Sequence, residues 1–119
     1  MSEIHVAKTG NDSHAGSLES PYLTIGKAAA VAQAGDTVIV HAGTYREWVK
    51  PLRGGRDENS RVTYRAAAGE EVLIKGSQQI TSWVQQGNGV WMVELPNRFF
   101  GDYNPYALNI SGGWLLYGQ

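Results

Sequence analysis

Hydrophobic and polar positions alternate over several short stretches of this chain, and alternation with a period of two predicts β-strands. The predicted strands cover residues 4–8, 37–40, 48–50, 62–66 and 72–76. One stretch has helical spacing instead: four small or apolar residues recur at i, i+3, i+4 and i+7, namely Ile25, Ala28, Ala29 and Ala32. We therefore expect an α-helix over residues 25–34, with Thr24 as its N-cap and Gly35 as its C-cap.

The predicted strands recur at a nearly constant spacing. Residues 37–40 are matched in character by residues 62–65, with Val62 in the place of Val38. Residues 48–50 are answered by residues 73–75 at almost the same separation. Two strands per repeat with a period near 24 predict an all-β solenoid, the beginning of a parallel β-helix. The helix would cover the open strand edge of the first coil and so prevent it from pairing with another chain.

The second half of the chain departs from this repeat. Residues 83–84 and 90–93 are apolar and flank Gly87-Asn88-Gly89, which predicts a β-hairpin that leaves the solenoid as an excursion. Residues 114–117 are again apolar, and no polar capping segment follows them. Stacked repeats need such a cap to stay soluble. We therefore expect residues 1–119 to be the first part of one longer β-helix domain, with an end that pairs with the remainder or with another copy.

Composition narrows the function classes. The net charge is −1 and the ten basic residues are scattered, so a nucleic-acid partner is not expected. Glycine is frequent, with 15 residues, as in turn-rich β architecture, and cysteine is absent. The first residues form no secretory signal and no apolar run reaches the roughly 20 residues of a membrane span, so we expect a cytoplasmic protein without a membrane partner. No cofactor motif is present.

Carboxylates matter because glycosidic bond cleavage usually needs a pair of them. Asp36 lies at a helix-to-strand corner and is most simply a turn residue. Glu47 could face a cleft, but it is expected to face outward from a strand and pair with a neighbouring rung. Asp102 lies in Phe100-Gly101-Asp102-Tyr103 and is the best local candidate. No two carboxylates have a spacing that argues for a catalytic pair, so the sequence predicts no catalytic residue in this chain.

Metal binding is weakly supported. Asn11-Asp12-Ser13-His14 offers oxygen ligands, but the later carboxylates of a calcium loop are missing, and a loop that satisfies its own backbone is favoured. The three histidines have no ligand-type spacing. His41 follows an apolar strand and is expected to be a turn or stacking residue.

Aromatic residues near the end of the chain are the most suggestive for ligand binding. Trp114 follows two glycines, which allow a ligand to approach the ring, and flat aromatic faces suit the apolar face of a sugar. Tyr103, Asn104, Tyr106 and Asn109 could supply polar groups for the sugar hydroxyls. Asp102 lies beside them, although a hydrogen-bonding role within its loop is favoured for it. The alternative is that the tryptophans, including Trp114, pack the hairpin against the coil.

Several segments together resemble the N-terminal portion of β-xylosidases of glycoside hydrolase family 120, which are right-handed parallel β-helices. They are HVAKTGND (residues 5–12), YREWVKP (45–51), VTYRA (62–66), VLIKGS (72–77) and LPNRFFGDYNPY (95–106). The resemblance runs along nearly all 119 residues but covers only the first part of such an enzyme. By the family pattern Trp114 would contact substrate, although Gly113 stands where an acidic residue is usual.

The resemblance implies a retaining hydrolase that removes xylose from xylo-oligosaccharides, with an aspartate nucleophile and a glutamate acid/base about 5 to 5.5 Å apart. Both are expected on later coils, so this chain would be inactive alone. Two other function classes stay open: a non-catalytic carbohydrate-binding or assembly module, and a fragment of a polysaccharide lyase that shares only the coil. A lyase would need a calcium cluster of aspartates and a basic residue, and neither is visible.

Overall fold

The computed structural model describes residues 2–104 and 107, which belong to two compact units, Met1–Gln78 and Gln79–Gln119. Regular structure is mostly strand. The first unit contains β1 (Glu3–Val6), α1 (Ile25–Val31), β2 (Thr37–Val40), β3 (Gly43–Arg46), β4 (Thr63–Ala66) and β5 (Val72–Lys75). The second contains β6 (Val84–Gly87), β7 (Val90–Met92) and a 3₁₀ helix (Asn97–Phe100). None of the helices in these described residues has the length and hydrophobicity needed to cross a membrane.

The first unit consists of two parallel sheets, between which the chain alternates from β2 onward. Strands β1, β2 and β4 form one sheet, and β3 and β5 form the other. Each visit adds a parallel strand beside the previous one. The mostly-β fold with one α-helix in this unit agrees with the sequence pattern. The assignment of residues 1–119 to a single domain stays a prediction.

The strand register differs from the spacing seen in the sequence. Thr37 pairs with Thr63, and Gly43 pairs with Val72. Both separations are longer than the expected period near 24, which is therefore wrong for both sheets. The β2–β4 pairing joins Val38 to Tyr64 and not to Val62. Because the side-chain period of a strand is two, this displacement leaves the same side chains on the core face, so likeness of character does not distinguish the two registers.

The expected strand at residues 48–50 is also wrong, because β3 lies earlier, at Gly43–Arg46. Tyr45 decides this position: its side chain is 1% exposed and its hydroxyl donates to the carbonyl of His41 at 2.8 Å. Trp48, the first residue of the expected strand, is 87% exposed.

The core of the first unit lies between the first sheet and α1. Apolar side chains of β1 and β2 point inward, and the predicted alanine-rich face of the helix is buried against them. The core cluster consists of Ile4, Val6, Tyr22, Ile25, Ala28, Ala32, Val38, Val40 and Tyr45. Small side chains on the helix allow its backbone to approach the strands closely, as expected.

The helix ends earlier than its sequence pattern indicates. It stops at Val31, with Ala32 as the C-cap, not at residue 34 before a Gly35 cap. The cause is Asp36, whose Oδ2 accepts a hydrogen bond from the Gln33 amide at 2.9 Å and so removes that amide from the helical ladder. Gly35 does adopt a left-handed conformation, with φ of 90°, but in the turn that follows.

The second unit begins with the predicted hairpin. Strands β6 and β7 are antiparallel, and Val84 pairs with Met92. The turn residues have positive φ, at 93° for Gly87, 52° for Asn88 and 74° for Gly89. This left-handed turn is the one that a Gly-Asn-Gly sequence favours, because glycine and asparagine tolerate it best.

Candidate functional site

The candidate sugar-contacting residues that the structure describes lie at the surface of the second unit. The 3₁₀ helix ends at Gly101, which has a φ of 68° and turns the chain. Asp102 and Tyr103 follow and are both exposed, Tyr103 by 62%. They present a carboxylate and an aromatic face next to each other in the sequence. The two remaining candidates, Tyr106 and Trp114, lie outside the described residues.

Asp12 is used to fix the entry of the helix. Its Oδ1 accepts hydrogen bonds from the amides of Leu23 and Thr24, both at 2.9 Å, and its Oδ2 accepts one from Thr24 Oγ1 at 2.8 Å. Burial raises the pKa of Asp12, but the hydrogen bonds from Thr24 and Leu23 and the charge of Lys27 outweigh it, so the pKa lies below its ordinary value. The expectation that this loop satisfies its own backbone holds at Asn11, whose Oδ1 accepts the Ser13 amide at 2.8 Å, whereas Asp12 bonds residues at the helix entry.

Glu47 completes the helix N-terminus, a role that the sequence did not indicate. Its Oε2 accepts the amide of Ile25 at 3.1 Å and its Oε1 accepts the amide of Gly26 at 2.6 Å. The predicted cap Thr24 accepts the amide of Lys27 at 3.1 Å through Oγ1. The helix amides that lack an intrahelical partner are thereby bonded. Glu47 was expected in a strand and paired with a neighbouring rung; β3 ends at Arg46, and the neighbouring segment with which Glu47 pairs is the start of the helix.

Asp36 is the turn residue that the sequence indicates. Its Oδ1 accepts hydrogen bonds from Ser2, at 3.0 Å from the amide and 2.9 Å from the hydroxyl, and its Oδ2 accepts the Gln33 amide. The hydrogen bond from Gln33 is the main cause that lowers the pKa of Asp36, and it outweighs the opposing effect of burial. Asp36 therefore ties the chain start to the corner between helix and strand.

These three carboxylates are occupied by backbone groups, so none of them is free to attack a sugar or to transfer a proton. Within residues 2–104 and 107, no group of three or more histidine, aspartate or glutamate side chains is placed to hold a metal ion. Asp12, Asp36 and Glu47 thus serve as scaffold contacts and not as a catalytic pair.

An apolar hollow of about 280 Å³ lies beside the outermost strands of the two sheets. Its lining is almost entirely apolar and consists of Ile25, Val40, Val49, Tyr64, Arg65, Ala66, Val72 and Ile74. Strands β4 and β5 border it, and each pairs on one side, with β2 and β3 respectively. The Tyr64 hydroxyl is buried there without a hydrogen-bond partner in the described structure, and burial raises its pKa.

Comparison with known families matches two segments of the chain. Residues 80–119 match the glycoside hydrolase 120 insertion domain, and residues 8–51 match a family described as protein of unknown function DUF1565. The insertion-domain match begins directly after the first residue of the second unit, Gln79. The hairpin thus lies in a segment that the family itself describes as an insertion, in agreement with the predicted excursion.

Solved structures extend the likeness over the first unit. The structure titled "The complex structure of XylC with xylose" is 57% identical, with a TM-score of 0.84 over 96% of this chain. The chain corresponds to the N-terminal portion of a glycoside hydrolase family 120 protein. A second structure, titled "Glycoside hydrolase", is 29% identical, with a TM-score of 0.64 over 81% of the chain. The chain spans 18% of the length of each of these two structures.

A curated protein is similar in sequence to part of this chain. The uncharacterized protein YwoF of Bacillus subtilis (strain 168) is 34% identical over 73 residues, which are 61% of this chain and 15% of that protein. The family 120 likeness therefore rests on the insertion-domain match and on the 57% identical structure.

Proposed function

We propose that this chain is the N-terminal segment of a retaining β-xylosidase that acts on xylo-oligosaccharides. It forms the first coils of a right-handed parallel β-helix and one wall of the sugar site. The observation that supports this most is the 57% identity, over 96% of the chain, to a protein whose structure was solved with xylose. A TM-score of 0.84 over that length means that the same backbone would present the equivalent loops.

The catalytic carboxylates belong to later coils in this proposal. A retaining mechanism needs a nucleophile and an acid/base about 5 to 5.5 Å apart. Asp12, Asp36 and Glu47 are engaged by backbone amides instead. This chain spans 18% of the length of the structure with xylose, so ample sequence in such proteins is left for the pair.

The apolar hollow is where the next coil of the same protein would dock. Each of the two bordering strands, β4 and β5, has one paired and one outer edge, and parallel strands added there would continue both sheets. The apolar lining gives such strands a hydrophobic surface to cover. A second copy of this chain is the alternative occupant when the remainder is missing.

Asp102, Tyr103, Tyr106 and Trp114 are the proposed sugar contacts. The exposed positions of Asp102 and Tyr103 leave both side chains accessible. An aromatic ring would stack on the apolar face of a xylose ring, and the carboxylate would accept hydrogen bonds from its hydroxyls.

Hydrolysis of xylobiose by the complete protein tests the activity, with the 119-residue chain assayed beside it. We expect xylose release by the complete protein, with the β-anomer formed first in the NMR spectrum, and none by the chain alone. Release by the chain, or first formation of the α-anomer, would sink the proposal. Binding of xylobiose without cleavage by the complete protein would support a non-catalytic carbohydrate-binding module instead.

Replacement of Trp114 tests whether its ring contacts the sugar. Trp114→Ala in the complete protein should lower kcat/KM for xylobiose by roughly 10- to 100-fold, because a stacking face for the sugar is lost. Trp91→Ala is the matched control, since Trp91 lies on the hairpin and its replacement is expected to leave kcat/KM within about twofold. Equal effects of both substitutions would remove Trp114 from the proposed site.

A further inference from the structure

Three titratable side chains from separate parts of the first unit form one continuous hydrogen-bonded row. His5 Nδ1 lies 3.0 Å from His41 Nε2, and His41 Nδ1 lies 2.9 Å from Glu70 Oε2. The two imidazole rings meet edge to edge through this hydrogen bond, with centroids 5.3 Å apart and planes inclined by 22°. His41 was expected to be a turn or stacking residue, but it is hydrogen-bonded through both ring nitrogens, and these partners could not be seen in the sequence.

The backbone holds each member of this row in place. His5 belongs to β1, and its amide and carbonyl bond to Gly16 and Tyr22. The His41 amide donates to Val6 at 2.8 Å, and its carbonyl accepts the Tyr45 hydroxyl. Side-chain exposure is 11% for His5, 24% for His41 and 38% for Glu70. The rings therefore have little freedom to turn away from each other.

The hydrogen-bond directions follow from the chemistry of the groups. An ionised Glu70 accepts only, so His41 Nδ1 carries the hydrogen. A neutral His41 then has a lone pair on Nε2, which must accept from His5 Nδ1–H. One further proton fits on His5 Nε2, which faces Glu3 Oε2 at 3.8 Å. A second one would have to go on His41 Nε2, where it would point at the His5 Nδ1 hydrogen.

We propose that His5, His41 and Glu70 form a proton-sensitive clasp that ties β1, the end of β2 and the turn after β4 together and accepts one proton but not two. When both imidazoles are charged, the hydrogen bond between them becomes a contact between two donors with like charge at 3.0 Å. The folded unit then has to release the clasp or exclude the second proton.

Other charged groups around the row do not remove this conflict. Glu3 faces the outer side of His5, and Glu70 faces the outer side of His41, so each carboxylate sits at one end. Lys8 lies over the ring of Tyr45, 5.0 Å from its centroid, beside the residue that bonds the His41 carbonyl. Ile39 of β2 pairs with His5 on one side and with Arg65 of β4 on the other, so one strand separates Arg65 from His5. None of these groups lies between the two rings.

The sign of the pH effect follows from proton counting. Free imidazoles ordinarily take up a proton near pH 6.5, so below that pH the unfolded chain holds two protons on these residues. The folded chain holds one. Because the unfolded state binds more protons, stability falls as the pH falls below about 6.5. A difference of one proton raises the unfolding equilibrium constant about tenfold per pH unit.

Nitrogen NMR of the wild-type 119-residue chain tests the clasp directly. At pH 7.5 we expect His41 to be the Nδ1–H tautomer. At pH 5.5, in the chain that is still folded, we expect at most one of the two imidazoles to be charged. Two imidazolium signals from His5 and His41 in the folded chain at pH 5.5, or an Nε2–H tautomer of His41, would overturn the proposal.

Urea unfolding at pH 6 and pH 5 supplies a second test. In His5→Asn the amide occupies the place of Nδ1 and can rotate, so that it donates to neutral His41 or accepts from charged His41. We expect the unfolding constant to rise about tenfold between the two pH values in the wild type and less than about threefold in the variant. His14→Gln, which changes an exposed histidine outside the row, should behave as the wild type. An equal rise in His5→Asn and the wild type would contradict the clasp.

Discussion

Single carboxylates determine how the short helix is fixed to the strands, and Glu47 is the clearest case. Its two oxygens accept two helix amides, at 3.1 and 2.6 Å. We expect Glu47→Ala to lower the free energy of unfolding by about 2 kcal/mol, because hydrogen bonds to a charged acceptor are lost and two amides are left without it. Glu47→Gln should cost roughly half as much, since one oxygen still accepts. Urea unfolding followed by tryptophan fluorescence measures both.

Glu19→Ala is the control for Glu47, because Glu19 is exposed and takes no part in the hydrogen bonds of the helix N-terminus. Its effect should stay within about 0.5 kcal/mol. A Glu47→Ala variant as stable as Glu19→Ala would show that water replaces the carboxylate at no cost.

The acid limb of stability should depend on Asp12 and Asp36. The pKa of each is lowered in the folded chain, so each carboxylate holds fewer protons folded than unfolded at a pH between its two pKa values. Their contribution is therefore complete above the ordinary value of about 3.9 and is lost as the pH falls through the lowered value. We expect the chain to lose stability below about pH 4, and Asp36→Asn to lose less over the same range. Parallel pH curves for the wild type and this variant would contradict the assignment.

At the scale of elements, the loop between β1 and the helix depends on a close backbone approach at Gly10. A Cβ on Gly10 would lie 2.3 Å from the Tyr22 carbonyl oxygen and 2.5 Å from that of Pro21. Both oxygens are fixed, because they accept the amides of Ala7 and Asn11. We expect Gly10→Ala to lower the unfolding free energy by about 1 to 3 kcal/mol, as overpacking does.

Gly54→Ala is the matched control, since nothing lies within 4 Å of a Cβ at Gly54. It should be neutral or slightly stabilising, because alanine restricts the unfolded chain. Thermal unfolding of both variants tests the close approach at Gly10. Equal unfolding midpoints would mean that the loop around Gly10 shifts without loss of stability.

The pattern of hydrophobic and turn residues was enough to predict the elements that depend only on their own residues. The buried face of the helix, the strand Thr37–Val40 and the Gly-Asn-Gly hairpin all appear where the pattern places them. Local residues contain the needed information there: an alanine stripe, a β-branched run and a turn that needs positive φ. Asp102 and Tyr103, the two expected sugar contacts that the structure describes, are both exposed.

Features that depend on distant partners could not be predicted. The register of β4 and β5 depends on their pairing with β2 and β3, which likeness of character does not determine, and Trp48 was expected in a strand although it is 87% exposed. Glu47 caps the helix only because folding brings the helix start, which is distant in the sequence, next to its carboxylate. Such a contact can be seen only in the folded structure, because no local sequence motif links the two segments.

At the scale of the whole molecule, the outermost strand β5 carries an exposed apolar side chain on each of its two faces. Ile74 pairs with buried Tyr45 and lines the hollow, yet it is 57% exposed. Its neighbour Leu73 is 42% exposed and pairs with Thr44, on the opposite face of the strand. If the next coil docks on the hollow, Ile74 becomes buried in the complete protein and Leu73 stays at the surface.

Aspartate substitutions at these two neighbours distinguish the alternatives. In the complete protein, Ile74→Asp should lower the unfolding free energy by about 3 to 5 kcal/mol, because a carboxylate without a partner would be buried in place of an apolar side chain. Leu73→Asp should cost less than about 1 kcal/mol. In the 119-residue chain both should have the small effect, because neither site is covered. Similar midpoints for the two variants of the complete protein in thermal unfolding would mean that the continuing coil does not cover the hollow, and that the apolar lining of β5 binds something else.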